Sequence, residues 1–242
     1  MNPELIRQLQ DIIDQSSSIV FFGGAGVSTE SGIPDFRSVD GLYSQTYKYP
    51  PEQMLSHTFY RTHKQDFYEF YHDKIARHDA VPNMAHIRLA QLEEKGKVAA
   101  VITQNIDGLH QTAGSKNVIE LHGSIHRNFC EACGAQYNLD YIRTGPTVPV
   151  CSACGGDVKP DVVLYEESLS GKDLQDAVRA IQKADALIIG GTSLVVYPAA
   201  GLVDYYEGDR MVVINKAPTH KDQWADLLIA DSIGKVFEAI RV

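Results

Sequence analysis

Apolar positions along the 242-residue chain change their period several times, and each change marks an element. Leu5, Leu9, Ile12 and Ile13 recur at helical spacing behind Pro3, which suits a first helical turn, so a helix is expected from Pro3 to Gln15. Ser16 to Phe22 then reads as a buried strand that runs straight into Gly23-Gly24-Ala25-Gly26. From Pro51 to His78 the pattern gives helical pieces rich in Tyr and Phe, without a strand signal. A helix from about Pro82 to Lys95 stops at Gly96, a good C-terminal signal. A buried strand follows at Val98 to Thr103, then a short helix, then a strand near Val118 to Leu121.

Beyond a cysteine-bearing segment, about Ser124 to Lys159, the alternation resumes. Strands are expected at Asp161 to Tyr165, Ala186 to Gly190 and Met211 to Asn215, with helices at Lys172 to Ala184, Pro198 to Tyr206 and Ile233 to Ile240. Apolar strands alternating with helices predict an α/β fold, a parallel sheet covered on both faces. The helical and the cysteine-bearing insertions would form a second, smaller domain. Ligands of such folds sit outside the carboxyl ends of the strands. The informative loops are therefore those leaving Phe22, Thr103, Leu121, Gly190 and Ile214.

Composition narrows the class. A hydrophobic share of 44% with 22% charged residues is that of an ordinary globular protein. The opening MNPELIRQLQ has no apolar core of the kind a signal peptide needs, and runs such as Ile19 to Phe22 are far too short to span a bilayer. A cytoplasmic protein without a membrane partner is expected. The net charge of -9 argues against nucleic-acid binding, which needs clustered Lys and Arg, but an acidic protein would attract a lysine-rich peptide.

The four cysteines fall in two pairs, Cys130 with Cys133 and Cys151 with Cys154, separated by seventeen residues. In a cytosolic chain this spacing reads as a tetrahedral zinc site rather than as disulfides, and it leaves no cysteine to act as a nucleophile. Gly24-Ala25-Gly26 follows a strand and is expected to open a helix, the setting of a phosphate-binding turn. The same glycines could simply make a tight turn. Thr29 stands where a dehydrogenase has its third glycine, and no acidic residue ends a second strand about 20 residues on, which counts against hydride transfer.

The loop continues Gly24-Ala25-Gly26-Val27-Ser28-Thr29-Glu30-Ser31-Gly32-Ile33-Pro34-Asp35-Phe36-Arg37. Gln104-Asn105-Ile106-Asp107-Gly108-Leu109-His110, Leu121-His122-Gly123-Ser124, Gly191-Thr192-Ser193-Leu194 and Val213-Ile214-Asn215 follow in order. Together these segments closely resemble the signatures of the sirtuin family of NAD-dependent protein lysine deacetylases, with the cysteines between the third and fourth. The resemblance implies a Rossmann-type domain over residues 1–37, 83–123 and 159–242. It implies a small domain of a helical module, 38–82, and a zinc module, 124–158. It further implies that NAD is consumed: the nicotinamide bond breaks, the acyl oxygen of acetyl-lysine attacks the anomeric carbon, and the acetyl group leaves on ADP-ribose.

By the same resemblance His122 is the general base, a role for which an imidazole with a pKa near ~6.5 is suited. Asp107 and the backbone of Ile106 would hold the nicotinamide carboxamide, while Asn105 and Gln104 orient the ribose. Read without the other signatures, Asn105, Asp107 and Gly108 would simply make a turn. His110 is expected to pack or hydrogen-bond nearby. Ala25 and Thr29 would line the pyrophosphate turn, Phe36 would shield the ribose from water, and Arg37 would meet a phosphate. A core phenylalanine and a solvated arginine are the plainer alternatives for the last two. Thr192, Ser193, Asn215 and Ile233 would bind the adenosine half, and Cys130, Cys133, Cys151 and Cys154 a structural zinc.

The acyl-peptide would lie between Val162 to Glu166 and Val195 to Tyr197, held by main-chain hydrogen bonds. Here the chain reads Val163-Leu164-Tyr165-Glu166-Glu167, where many members have two phenylalanines and a glycine. Members that prefer succinyl or malonyl groups carry a Tyr-x-x-Arg pair before the Pro-Asn-x-x-His segment, here Pro82-Asn83-Met84-Ala85-His86. Tyr68 fills the tyrosine position and Tyr71 stands at the arginine, with Glu69 between them, so poor use of succinyl-lysine is expected unless Arg61 or Arg77 substitutes. Three rivals remain distinguishable: a dehydrogenase by reduced nicotinamide, a zinc-ribbon nucleic-acid binder by salt-dependent retention on DNA, and a mono-ADP-ribosyltransferase by the mass of its product.

Overall fold

In the computed structural model, which describes residues 2–36, 41–42, 47–76 and 79–242, the uninterrupted apolar runs are strands. In chain order these are β1 (Ile19–Gly23), β2 (Val98–Thr103), β3 (Val118–Glu120), β4 (Gly123–Cys130), β5 (Gln136–Tyr137), β6 (Val158–Val162), β7 (Ala186–Gly190), β8 (Met211–Ile214) and β9 (Leu227–Ile229). The helices are α1 (Pro3–Gln15), α2 (Pro51–Met54), α3 (His57–Thr62), α4 (Lys64–Phe70), α5 (Met84–Glu94), α6 (Leu109–Ala113), α7 (Leu139–Thr144), α8 (Gly171–Lys183) and α9 (Ile233–Ala239). Six strands form one sheet in the order β3-β2-β1-β7-β8-β9, every pairing parallel.

The two-residue period of a strand divides this sheet's side chains between two cores. Ile19 and Phe21 of β1 join Val101, Ile188 and Val212 under α1, α5 and α9. Val20 and Phe22 join Ile102, Leu187, Ile189 and Val213 on the other face, under α8 and the 3-10 helix Ala199–Tyr205. Burial on both faces is why these strands read as continuous apolar runs. The helices start where local chemistry allows. Asn2 accepts the Glu4 N–H at 3.0 Å ahead of Pro3, and Asn83 opens α5 with a capping box closed by His86.

The remaining strands form an antiparallel sheet, β5-β4-β6. Its core is shared with the aromatic helical pieces: Phe59, Tyr60, Phe67, Tyr68 and Tyr71 pack with Ile125, Leu139, Ile142, Val158 and Val162. Both insertions thus bury their apolar faces against each other.

Four features depart from the sequence pattern. The strand expected at Asp161 to Tyr165 runs at Val158–Val162 and belongs to the small sheet. Lys159 hid it, because its buried ammonium is held by the Val162 carbonyl at 3.1 Å and by Glu167 at 3.2 Å, which hydropathy cannot foresee. No helix starts at Gly24; two single 3-10 turns, Ala25–Val27 and Thr29–Ser31, occupy that place. The segment after Pro198 is 3-10 rather than α-helical, and edge strand β9 is too short to show a period. No helix among the described residues is long and apolar enough to cross a membrane.

Helices α5 and α6 bring two histidines together beside Phe21. The rings of His86 and His110 lie 4.7 Å apart, and His110 lies 6.0 Å from Phe21. The His86 Nδ1 accepts the Asn83 N–H at 3.3 Å, so its proton sits on Nε2. That Nε2 and both ring nitrogens of His110 are buried without a partner among the described residues. His110 packs, then, and does not hydrogen-bond. Burial pushes His110 down to about 3, with His86 adding to the effect, and pushes His86 down to about 4 against the pull of Asp107.

A folded-state pKa below the unfolded ~6.5 means that the unfolded chain takes up the proton first. Stability is therefore complete above that value and is lost as pH falls from about 6.5 towards the folded pKa. At pH 5 a single such histidine withdraws about 2 kcal/mol. Denaturant melts at pH 7.5 and pH 5 should show His110→Leu losing about 2 kcal/mol less than the parent protein. Parallel losses in the two proteins would show that His110 is not the titrating group.

Candidate functional site

The order of the parallel sheet reverses between β1 and β7, and their carboxyl ends carry two glycine loops. The loops cross in contact. Gly24 N–H donates to the Gly190 carbonyl at 3.3 Å and Gly26 N–H to the Gly191 carbonyl at 2.7 Å. A Cβ on Gly26 would stand 2.8 Å from Gly191 Cα, and one on Gly191 would stand 2.4 Å from the Val27 nitrogen. Only glycine permits this approach. It also uses donors that the sequence pattern offered to a phosphate, and Val27 and Ser28 give theirs to Gly24 and Ala25 within the turn. The helix N-terminus expected there, with its free N–H groups and its dipole, is absent.

A cleft of about 1170 Å³ opens at these strand ends. Ala25, Thr29 and the half-buried Phe36 line it from the first loop, while Arg37 lies outside the described residues. Thr192, Ser193, Asn215 and Ile233 line it from the ends of β7 and β8 and the start of α9. Thr192 and Asn215 are bound to each other. Thr192 N–H donates to Asn215 Oδ1 at 3.0 Å, Asn215 Nδ2 donates back to the Thr192 carbonyl, and Gln104 Nε2 donates to Thr192 Oγ1 at 3.0 Å. Gln104, expected beside the ribose with Asn105, is thus tied to the residues expected on the adenosine side.

Asn105, Ile106, Asp107 and His122 line the same cleft from the ends of β2 and β3. Asn105 Nδ2 donates to Ser28 Oγ at 3.0 Å, and Ser28 donates onward to Asp107 Oδ2 at 2.6 Å. The second carboxylate oxygen of Asp107 accepts the Leu109 N–H at 2.9 Å. One buried hydroxyl therefore couples the amide to the carboxylate across two loops.

His122 is set with equal definition. A carbonyl can only accept, so the 2.9 Å contact with Gln104 O places the proton on Nδ1 and leaves Nε2 as a lone-pair acceptor. Burial lowers its pKa below the ordinary imidazole range, against the raising effect of the Gln104 carbonyl, so the ring is neutral at pH 7. Gly123 follows with φ +75°, and a Cβ there would meet the Asp161 carbonyl at 1.9 Å. The His122 carbonyl accepts the Val163 N–H at 3.0 Å, joining the histidine to the cleft wall.

That wall, Val162 to Glu166, lines the cleft opposite Val196 and Tyr197. Among the described residues only Glu166, at φ +75°, and Leu194, at φ +54°, are left-handed without being glycine; Glu166 stands in the wall and Leu194 two residues before Val196. Strained backbone of this kind concentrates at functional sites. The Glu166 carboxylate accepts from Thr58 N–H at 2.8 Å and Thr58 Oγ at 2.7 Å.

Outside the cleft, Cys130, Cys133, Cys151 and Cys154 bring four Sγ atoms within 4.8 Å of one another. Two Sγ pairs lie 3.5 and 3.6 Å apart, and all four cysteines are free thiols. Tetrahedral Zn–S bonds of about 2.3 Å require sulfur separations near ~3.8 Å, so the group fits that metal. Two like turns build it: Gly134 N–H returns to the Cys130 carbonyl and Gly155 N–H to the Cys151 carbonyl, each at 2.9 Å.

Three participants escaped the sequence reading. Ser28 stood inside a signature, yet nothing local shows that its hydroxyl reaches Asp107. His126 donates from Nε2 to the Asp107 carbonyl at 3.0 Å. Glu167 binds His57 at 2.8 Å, Lys159 at 3.2 Å and the Leu164 N–H at 2.9 Å, fixing the wall from three elements. His57 lies 110 residues away, so no spacing signals that contact.

With this geometry established, the chain can be set beside known proteins. Residues 24–198 match the model described as the Sir2 family. A protein from Clostridium acetobutylicum named NAD-dependent protein deacetylase is 60% identical over 238 residues, 97% of either chain. Among solved structures, one described as the structural basis for the mechanism and regulation of Sir2 enzymes has a TM-score of 0.89 at 40% identity, covering 99% of this chain and 97% of the other. A Sir2 variant with deacetylated p53 peptide and 3'-O-acetyl-ADP-ribose has a TM-score of 0.88 at 37% identity, covering 97% of this chain and 96% of the other.

Proposed function

The chain belongs to the Sir2 family, and on that premise we propose how its cleft works. It is an NAD-dependent protein lysine deacetylase: it cleaves NAD and transfers the acetyl group of acetyl-lysine to ADP-ribose, releasing nicotinamide and free lysine. NAD supplies the anomeric carbon that loses nicotinamide and receives the acetyl oxygen. The protein's part is to hold that carbon, stabilise the positive charge that develops there, keep water away and move one proton.

The observation that carries the assignment is the fixed tautomer of His122. With Nδ1 donating to Gln104, Nε2 can take a proton from a ribose hydroxyl, a contribution typically worth ~10²–10⁴ in rate. Asp107, held by Ser28 and the Leu109 N–H, presents a carboxylate for amide recognition and charge stabilisation, with Asn105 fixed through the same serine. Phe36 shields the site, Ala25, Thr29 and Arg37 serve the diphosphate, and Gln104, Ile106, Thr192, Ser193, Asn215 and Ile233 hold the remainder of the dinucleotide. Their gathering along one cleft supports these roles, Arg37 resting on the sequence signature alone. An extended acetyl-lysine peptide lies between the Val162 to Glu166 wall and the Val195 to Tyr197 segment.

The function is tested by incubating an acetyl-lysine peptide with and without NAD and assaying nicotinamide and deacetylated peptide. Turnover should require NAD, and His122→Ala or His122→Tyr should abolish it while the protein stays folded. The acid limb of the pH profile should fall below the ordinary imidazole range, because burial favours the neutral base. Near-normal turnover by a well-folded variant would remove His122 from the mechanism.

The four cysteines hold a structural zinc in this reading. Four thiolates leave no open position for water or substrate, so the metal serves folding, with ~10–16 kcal/mol of binding energy coupled to it. Reduced thiols of this kind suit the cytoplasm. Cys151→Ala should lose metal, thermal stability and activity together. Metal loss with full activity and an unchanged melting temperature would contradict a structural role.

Acyl preference follows from the aromatic helices. The Tyr68 hydroxyl is buried and donates to the Val158 carbonyl, while Tyr71 lines the cleft where succinyl-preferring members carry arginine. Arg61 is paired with Glu131 at 2.9 Å, Glu69 is exposed with Gln65 as its partner, and Arg77 lies outside the described residues. Lys74 and Arg143 line the cleft but are engaged, Lys74 with Asp73 and Arg143 with Asp79. A missing cation should cost roughly ten- to a hundredfold. Comparing kcat/KM for acetyl- and succinyl-lysine versions of one peptide should favour acetyl by that margin, and a ratio near one would overturn the assignment.

A further inference from the structure

Asp107 is held at both ends. Its carboxylate accepts from Ser28 Oγ at 2.6 Å and from the Leu109 N–H at 2.9 Å, on the first glycine loop and at the start of α6. Its carbonyl accepts from His126 Nε2 at 3.0 Å, the one hydrogen bond that oxygen receives among the described residues. His126 comes from β4 and therefore from the small sheet. A carbonyl can only accept, so Nε2 carries a proton whether the ring is neutral or charged.

The strand is shaped for this contact. β4 loses register with β6 between Ser124 and Asn128, and irregularities of that kind re-aim side chains beside active sites. Within this stretch the Ile125 N–H donates to the Ile106 carbonyl at 3.0 Å, and the next residue, His126, reaches the next carbonyl. Two successive residues of β4 thus hold two successive carbonyls of the loop that leaves β2. The imidazole also lies against Gly108, where a Cβ would stand 2.7 Å from His126 Cδ2 and 2.8 Å from Nε2. Gly108 has φ +70°, and a glycine there lets the Asp107–Gly108 peptide turn unless something holds its carbonyl. His126 is solvent-exposed and lines the cleft with Ile106 and Asp107.

We propose that His126 is a positioning residue of the nicotinamide site: by holding the Asp107 carbonyl it fixes the main chain of Ile106 and Asp107 for the nicotinamide carboxamide, and so sets the affinity for nicotinamide within NAD and as released product. This role rests on reading Asp107 and Ile106 as the groups that hold the carboxamide. His126 acts through Asp107 and takes no part in the chemistry. The nicotinamide site becomes a shared property of the two sheets, since its loop is pinned from both.

The test measures the KM for NAD, the nicotinamide concentration that halves turnover of an acetyl-lysine peptide, and the Kd of ADP-ribose. It compares the parent protein with His126→Phe, which keeps a ring beside Gly108 without the donor, and with His126→Gln, whose amide restores a donor at similar reach. Loss of one hydrogen bond predicts a rise of about two- to tenfold in the KM for NAD and in the inhibiting concentration for His126→Phe. His126→Ala, with no bulk to clash, should behave in the same way, and His126→Gln should recover most of the change. ADP-ribose lacks the carboxamide, so its Kd should be the same in every protein, which also shows that the variants are folded. Unchanged values in His126→Phe and His126→Ala would overturn the proposal. So would an equal loss in His126→Gln, or an equal weakening of ADP-ribose, since either would make His126 a structural residue only. Failure of the parent protein to release nicotinamide from NAD with an acetyl-lysine peptide present would instead strike at the underlying reading of Asp107.

Discussion

The constraint on which the site depends is the contact between the two glycine loops at the ends of β1 and β7. Hydrogen bonds from Gly24 and Gly26 to the Gly190 and Gly191 carbonyls close the distance between strand ends at the switch point of the sheet. From there the order propagates through side chains. Thr192, fixed beside Gly24, receives Gln104 from β2 and exchanges bonds with Asn215 from β8. The Gln104 carbonyl sets the tautomer of His122, and Ser28, on the first loop, sets Asp107. Five strand ends are thus joined by one polar network. Such networks are strong when every member is satisfied and costly when one is lost, so the loops position groups on strands they do not belong to.

Histidine shows how one side chain acquires different properties from its surroundings. His122, His86 and His110 are all pushed towards the neutral form by burial. His122 alone has a carbonyl that orients its ring and a cleft on which to act. His86 spends its acceptor nitrogen on the capping box of α5, and His110 has no hydrogen-bond partner among the described residues. Chemistry therefore follows from a hydrogen bond and an opening. A pKa alone would not separate the three.

Much of this was legible in the sequence, for identifiable reasons. The parallel sheet came from strands buried on both faces, since an apolar run needs no partner to be read. The cysteine cluster came from spacing, because two short turns fix each pair locally. The signature residues lie at strand ends, where a conformational switch in the chain is visible. What stayed hidden depended on which groups the folded chain brings together. Lys159 concealed β6, because its burial depends on Glu167 and on a carbonyl of the same strand. Ser28 owes its place to Asp107, 79 residues away. The glycine loop misled in the opposite sense: its spacing matched a helix start, but its amides were already committed to the neighbouring loop.

The cleft wall from Val162 to Glu166 joins the large sheet to the small aromatic core without belonging wholly to either. Val163 hydrogen-bonds the His122 carbonyl, while Tyr165 exchanges main-chain bonds with Leu55 and His57 of the helical pieces. Glu166 and Glu167 extend the same attachment through Thr58, His57 and Lys159. Glu166 tolerates a left-handed backbone there because its carboxylate takes two donors at the start of α3, an anchorage that glycine could not supply. This wall of the cleft is consequently coupled to the packing of the small aromatic core, whereas His122 is coupled through Gln104 to the large sheet. Under the proposed function, changes in that core would alter which acyl chains and peptides fit while leaving the hydrogen bond from His122 to the Gln104 carbonyl in place.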